Sequence, residues 1–197
     1  MSTVTPQHPA SSMEPPGLYR ITVEEYERIC DLLDDPRVEL IDGHLVKKMT
    51  KKPEHSWSTK QVLKGLDRLL PSGWTWRTEQ PLRLPPHDEP EPDLAIVRGT
   101  DDDYMHRLPG PADVALVVEV SESTLNTDRR EKLSGYAHAA IPVYWILNLI
   151  DQRVEVYTDP VNDRYASRQD YQVGQLIPVE IHGDLVGELS VDQLLPQ

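Results

Sequence analysis

Cysteine is almost absent from this 197-residue sequence, in which Cys30 stands alone. One cysteine cannot form a disulfide within the chain, and it cannot supply a cysteine-based zinc cluster. The seven histidines include no HxH or HExxH pair, so their spacing does not indicate a zinc site either. The sequence also lacks a GxSxG nucleophile elbow and a GxxxxGKS/T phosphate loop. These absences argue against several common hydrolase and nucleotide-binding classes.

Long apolar runs are missing as well. None approaches the roughly 20 residues that a helix needs to span a bilayer, so we expect no membrane partner. The first residues carry neither a basic region nor an apolar segment of the kind found in signal peptides, and we expect a cytoplasmic protein. Residues 1–17 are rich in Pro, Ser and Thr. We therefore expect a disordered tail over 1–17 and a single domain over 18–197.

Positive charge is scarce, because 20 Lys and Arg face 33 Asp and Glu and leave a net charge of −13. This balance opposes a general electrostatic attraction to nucleic acid. A local exception is the cluster of Lys47, Lys48, Lys51 and Lys52. The cluster is either the solvated end of a hairpin or a local surface for phosphate groups, and the sequence leaves both open.

The order of local patterns predicts a mixed domain of the α/β or α+β class, built around a mixed sheet. Thr22 and Glu25 form a capping box that begins a helix. Asp42 and Gly43 form a hairpin turn. Further elements are predicted by apolar periodicity. They are a helix over about Glu54–Leu70, strands at Asp93–Arg98, Val114–Val120 and Val143–Leu149, and a helix from about Asn126 to Ala140.

A carboxylate, Glu119, interrupts the apolar strand Val114–Val120. A buried charge is costly unless something pairs with it. Asp93 begins the preceding strand, and the start of one antiparallel strand meets the end of its neighbour. In that arrangement the two carboxylates could share a hard cation such as Mg²⁺. Taken singly, each is more often an ordinary strand-end or ion-paired residue.

Asp128, Lys132 and Tyr136 are four residues apart, so they share one stripe of a helix. By themselves Asp128 and Lys132 are typical of a surface ion pair. Lys132 also borders the expected apolar face, from which its amine can reach toward the carboxylates and stabilise a phosphate in the transition state. Glu39, on the first strand of the early hairpin, is a further candidate carboxylate for the same site.

Three stretches taken together resemble the Uma-type restriction endonuclease family of the PD-(D/E)XK nuclease superfamily. They are VELIDGHLV, PDLAIV, and LVVEVSESTLNTDRREKLSGYAHAAIPVYWILNL. The resemblance covers about Thr22 to Thr158. It implies a restriction-endonuclease-like fold, with a central mixed β-sheet flanked by helices, often found in dimers. It also implies an endonuclease that hydrolyses DNA with Mg²⁺ or Mn²⁺ as its cofactor.

Residue by residue, the resemblance implies that Asp93 and Glu119 are metal ligands and that Glu39 joins them. The superfamily's lysine normally lies two residues after the glutamate, where this chain has Ser121. The resemblance implies that Lys132 has taken over this lysine's role, which completes a catalytic set with Asp93, Glu119 and Glu39. Contacts with substrate are expected from side chains around this set, namely Lys47, Lys48, Lys51, Lys52, His55, Arg129 and Tyr136.

Two functions of different classes follow from the sequence. The first is a Mg²⁺-dependent endonuclease acting on DNA, expected as a homodimer. The alternative is a catalytically silent protein that keeps the nuclease fold and serves as an acidic protein-interaction module. The net charge of −13 favours the module, whereas the complete set of Asp93, Glu119 and Lys132 favours the enzyme.

Overall fold

The computed structural model describes residues 17–32 and 37–196, so nearly all of the expected N-terminal tail lies outside the described residues. Helix α1 (Val23–Ile29) begins at the predicted capping box, in which Thr22 and Glu25 exchange hydrogen bonds of 2.9 and 3.2 Å. Strands β1 (Val38–Ile41) and β2 (His44–Lys47) pair antiparallel, as predicted. Their hairpin turns at Asp42 and Gly43, both with positive φ, as a two-residue turn of this kind requires.

Six strands form the central sheet, in the order β3-β4-β5-β6-β7-β8. They are β3 (Trp74–Arg77), β4 (Leu94–Arg98), β5 (Val114–Ser121), β6 (Val143–Asn148), β7 (Arg153–Val161) and β8 (Arg164–Gln172). All neighbours are antiparallel except β5 and β6, which are parallel. The predicted mixed sheet is therefore confirmed. β4, β5 and β6 are almost entirely buried, because helices or other elements cover both of their faces.

Helical segments lie on both faces of this sheet. On one face, α2 (Pro53–Asp67) packs Val62 and Leu66 against the strands. It ends three residues before the predicted Leu70. On the other face, the connection from β5 to β6 consists of α3 (Leu125–Thr127), a π-helical turn (Asp128–Lys132) and α4 (Leu133–His138). A parallel strand pair needs a crossover of this type, and we call this continuous segment the crossover helix.

The C-terminal part of the chain forms the hairpin of β9 (Leu176–Ile181) and β10 (Asp184–Ser190), followed by α5 (Val191–Leu194). This hairpin packs on α2 so closely that a Cβ atom at Gly65 would lie 2.9 Å from Leu189. Short 3₁₀ turns at Cys30–Leu32, Asp101–Tyr104 and Pro111–Asp113 complete the described elements. None of the helices among the described residues is both long and apolar enough to cross a lipid bilayer.

A buried ion-pair network fixes the crossover helix to the far strands of the sheet. Glu155, on β7, has 0% exposure. Its carboxylate accepts hydrogen bonds from Arg129 at 3.0 Å, Asn148 at 2.9 Å and Tyr157 at 2.8 Å, and Arg168 lies 3.3 Å away. Burial opposes ionisation of Glu155, but these donors outweigh it and hold its pKa at about 2.

We expect Glu155→Gln to lower the free energy of unfolding at pH 7 by about 2 kcal/mol, since the substitution removes the buried charge that accepts hydrogen bonds from the partly exposed guanidinium groups. The pKa of Glu155 in the folded protein is below its ordinary value of 4.5, so the ionised carboxylate stabilises the fold fully above about pH 4.5. This stabilisation is lost as the pH falls toward 2. Urea unfolding of both proteins at several pH values would therefore show a gap that narrows in acid. The exposed Glu188→Gln is the control, and an equal loss in that variant would contradict the prediction.

Candidate active site

Asp93 and Glu119 meet at one end of the central sheet. β4 and β5 are antiparallel neighbours with Leu94 opposite Val118, so Asp93, directly before β4, lies beside the end of β5. Asp93 Oδ2 accepts a hydrogen bond of 2.7 Å from the backbone N–H of Val120. Both carboxylates line the same cavity of about 630 Å³. The strand pairing expected from the sequence thus brings the two acids together.

The crossover helix approaches this sheet end through its π-helical turn. The hydroxyls of Ser121 and Thr124 donate to Asp128 Oδ2 at 2.6 and 2.7 Å. These bonds fix the first residue of the turn to the end of β5. Asp128 is 2% exposed and Lys132 8%. Their burial rules out the alternative that they form an ordinary surface pair. Turns of π type are often found at functional sites.

Lys132 lies between two carboxylates. Its Nζ is 3.0 Å from Glu119 Oε1 and 3.2 Å from Glu39 Oε2. Burial opposes protonation of Lys132, but the surrounding carboxylates outweigh it and raise its pKa above the ordinary value. The Tyr136 hydroxyl, one helical turn further on, donates to Glu119 Oε1 at 2.8 Å. Because its pKa is raised, the ammonium group of Lys132 stays charged between Glu119 and Glu39.

The two central carboxylates differ in their affinity for a proton. Burial raises the pKa of Glu119 to about 8, and nearby Asp128, Asp93 and Glu39 add to the effect although Lys132 opposes it. Burial also opposes ionisation of Asp93, but His55 and Lys51 outweigh it and hold the pKa of that carboxyl at about 2. Negative charge is thus in excess around Glu119.

Lysines from the loop between β2 and α2 line the cavity, and we call residues 48–52 the lysine strap. Lys48 pairs with Glu91 and Lys52 with Glu122. Lys51 lies 2.6 Å from Asp93 Oδ1 and 3.0 Å from Glu79 Oε1. Of the side chains expected to contact substrate, Lys47, Lys48, Lys51, Lys52 and His55 line the cavity.

Two of the expected substrate contacts do not reach the cavity. Arg129 turns away and pairs with Glu155, and Tyr136 is 1% exposed beneath Glu119. Conversely, the structure adds acids that sequence reasoning did not assign to the site. Glu79, Glu91, Glu122 and Asp128 all line the cavity. The stripe that Asp128 shares with Lys132 was the signal that could have identified it, whereas Glu79 and Glu122 had none.

The donor set fits a hard divalent cation. Among the side chains lining the cavity, Glu39, Asp93, Glu119 and Asp128 are buried, and Lys132 is the buried cation between them. Carboxylate oxygens are the ligands that Mg²⁺ and Mn²⁺ prefer, and a cation would reduce the excess negative charge. Within the part of the chain that the structure describes, no cluster of three or more Asp, Glu, His or Cys is already arranged around one point. Ammonium groups lie between the carboxylates instead.

The chain is similar in sequence to a known family and in fold to a solved structure. The model of the Uma2 family, described as "Putative restriction endonuclease", matches residues 23–191. A solved structure described as "a putative nuclease belonging to DUF820 from Anabaena variabilis ATCC 29413" is similar, with a TM-score of 0.66 and 16% sequence identity. The similarity covers 88% of this chain and 97% of that chain. At this identity the likeness shows the fold alone. No curated protein matches the chain.

We expect Lys132→Met to lower the free energy of unfolding by about 3 kcal/mol, because it removes the cation between Glu119 and Glu39, and Glu119 must then take up a proton to stay buried. Adding Glu119→Gln to this variant should restore at least about 1 kcal/mol, since a neutral amide needs neither a counter-charge nor a proton. Urea unfolding at pH 8 is the measurement. Lys52→Met, which removes an exposed pair with Glu122, should cost less than about 1 kcal/mol. Equal losses in the two single variants would contradict the role assigned to Lys132 in the buried cluster.

Proposed function

The chain belongs to the Uma2 family, and we propose that it is an endonuclease that hydrolyses DNA phosphodiester bonds with the help of a divalent cation. The observation that supports this most is the convergence at one sheet end of Asp93, Glu119 and a buried lysine. Lys132 comes from a different element than the strands, yet its Nζ is 3.0 Å from Glu119. A purely structural role gives no reason to bury this many charges at the wall of a cavity.

We assign the cation, Mg²⁺ or Mn²⁺, to Asp93 and Glu119, with Glu39 as a further ligand. These residues would hold the ion, which would supply a bound water of lowered pKa and offset negative charge on the phosphate. The chain prepares these ligands in two ways. Val120 N–H and His55 orient Asp93 from one side, at 2.7 and 3.1 Å. Tyr136 holds Glu119 from beneath.

Lys132 acts as a fixed positive charge in this proposal. Its stem is buried in the crossover helix, and its ammonium group faces the carboxylates that line the cavity. A preorganised charge in a site of low dielectric stabilises negative charge that develops on a phosphate more than the same charge does in water. The lysine replaces, from the helix, the one that the superfamily carries at the position of Ser121.

Contact with DNA is assigned to the lysine strap at the mouth of the cavity. Because the whole chain carries a charge of −13, binding should depend on these few lysines and fall steeply with salt. The homodimer and the cytoplasmic location belong to the same proposal. Residues 17–32 and 37–196, which the structure describes, contain one such site, so cutting both strands of a duplex at one place calls for two chains.

The alternative, an acidic interaction module without catalysis, is favoured by a specific observation. Lys48, Lys51 and Lys52 are all paired with carboxylates of the same chain rather than left to face a polyanion. The two functions differ in whether the cavity binds a cation. Calorimetric titration with Mn²⁺ distinguishes them. The enzyme must bind Mn²⁺ and lose this binding in Asp93→Asn, whereas the interaction module has no need to bind a cation.

We expect purified protein with Mn²⁺ or Mg²⁺ to cleave plasmid DNA, and each of Asp93→Asn and Glu119→Gln to reduce cleavage below detection, because each removes a cation ligand. Lys132→Ala should lower the rate by at least about 100-fold, as loss of a transition-state charge does elsewhere. Rates of plasmid nicking and linearisation are the measurement, with circular dichroism to verify that each variant is folded.

Glu188→Ala is the control, since Glu188 is exposed on β10 and does not line the cavity. It should cleave as fast as the unchanged protein. Cleavage that persists in folded Glu119→Gln would overturn the assignment of the site. Absence of cleavage together with absence of Mn²⁺ binding would favour the interaction module.

A further inference from the structure

The two oxygens of Asp93 have donors of different kinds. Oδ2 accepts from the Val120 backbone at 2.7 Å and lies 3.1 Å from His55 Nε2. Oδ1 instead contacts the ammonium group of Lys51 at 2.6 Å. No cation can bind Oδ1 while a second positive charge occupies the same position, because the two charges repel at contact distance.

The donors to Oδ2 belong to regular structure and hold the carboxylate in place. Val120 lies within β5, and His55 lies in the first turn of α2 with its side chain only 12% exposed. The Val120 N–H cannot move away from Asp93 without distorting β5, and the His55 side chain is enclosed at the start of α2. Contacts of this kind orient a metal-binding carboxylate and remain compatible with a metal on its other oxygen.

Lys51 is placed differently. It belongs to the loop between β2 and α2, and its side chain is 33% exposed at the rim of the cavity. Its second partner, Glu79, is 58% exposed. A flexible side chain on a loop can rotate into solvent more readily than groups held in a strand or helix, although Lys51 gives up its contact with buried Asp93 when it does so. Of the three donors to Asp93, Lys51 is thus the exchangeable one.

We infer that Lys51 is an internal counter-ion, which occupies the cation position on Asp93 Oδ1 and must be displaced when a divalent ion binds. This inference rests on the proposed function, because it takes Asp93 to be a cation ligand. Lys51 leaves as an ammonium ion and so keeps its proton. It stays tethered at the rim, beside Lys48 and Lys52, where a phosphate of the substrate is the available anion. Lys51 therefore sets the affinity for the cation by competition, as a positioning residue rather than a ligand.

The test is calorimetric titration of the full chain with Mn²⁺ at about 0.15 M salt, which measures binding rather than activity. Lys51→Met removes the competing charge and keeps the side-chain length, so it should tighten Mn²⁺ binding about fivefold. Damage to the fold would weaken binding, and a gain therefore cannot be a structural artefact. Lys52→Met removes the same charge one residue away, from a pair with Glu122 that does not involve Asp93. It should change the affinity by less than about twofold.

Each outcome bears on the inference. Tighter binding by Lys51→Met alone supports it. Unchanged or weaker binding by Lys51→Met overturns it, and so does an equal gain in Lys52→Met. The proposed cation site remains intact in both cases if the unchanged protein binds Mn²⁺ and the Asp93→Asn variant does not. Absence of Mn²⁺ binding by the unchanged protein and by Lys51→Met overturns the cation site and this inference together.

Discussion

Burial of the Glu119 carboxylate at the end of a sheet strand is the constraint on which the rest of the site depends. A charge in that place must be compensated, and the compensation comes from Lys132 at 3.0 Å and the Tyr136 hydroxyl at 2.8 Å. Both partners belong to the crossover helix, which exists because β5 and β6 are parallel. The strand order of the sheet thereby determines which helix passes beneath Glu119 and which side chains can reach it.

Much of this arrangement could be predicted from the sequence. The capping box at Thr22, the hairpin turn at Asp42 and the antiparallel pairing that joins Asp93 to Glu119 all follow from local rules of chain geometry. Lys132 was also predicted, because helical spacing placed it on the border of an apolar face. These features depend on residues close in sequence or on a simple register between neighbouring strands.

Other features depended on packing between distant parts of the chain. The π-helical turn at Asp128–Lys132 has no sequence signature of its own, and its first residue accepts hydrogen bonds from Ser121 at the end of β5 and from Thr124 just before the helix. Arg129 was expected at the substrate, yet it pairs with Glu155, a carboxylate two strands away from Glu119 that no local pattern connects to the helix. The sequence indicated only a run of positive charge at the lysine strap, because the carboxylate partners of these lysines come from loops that are distant in sequence.

Ser121 connects the end of β5 to the crossover helix. Glu119 and Ser121 are two residues apart on one strand, so their side chains point to the same face. Ser121 has 0% exposure, and its hydroxyl holds the residue that begins the turn leading to Lys132. A lysine at this position would remove the hydroxyl that anchors Asp128, and it would have to fit where Ser121 has no exposure. The position of Lys132 beneath Glu119 therefore depends on a small hydroxyl side chain two residues further along the same strand.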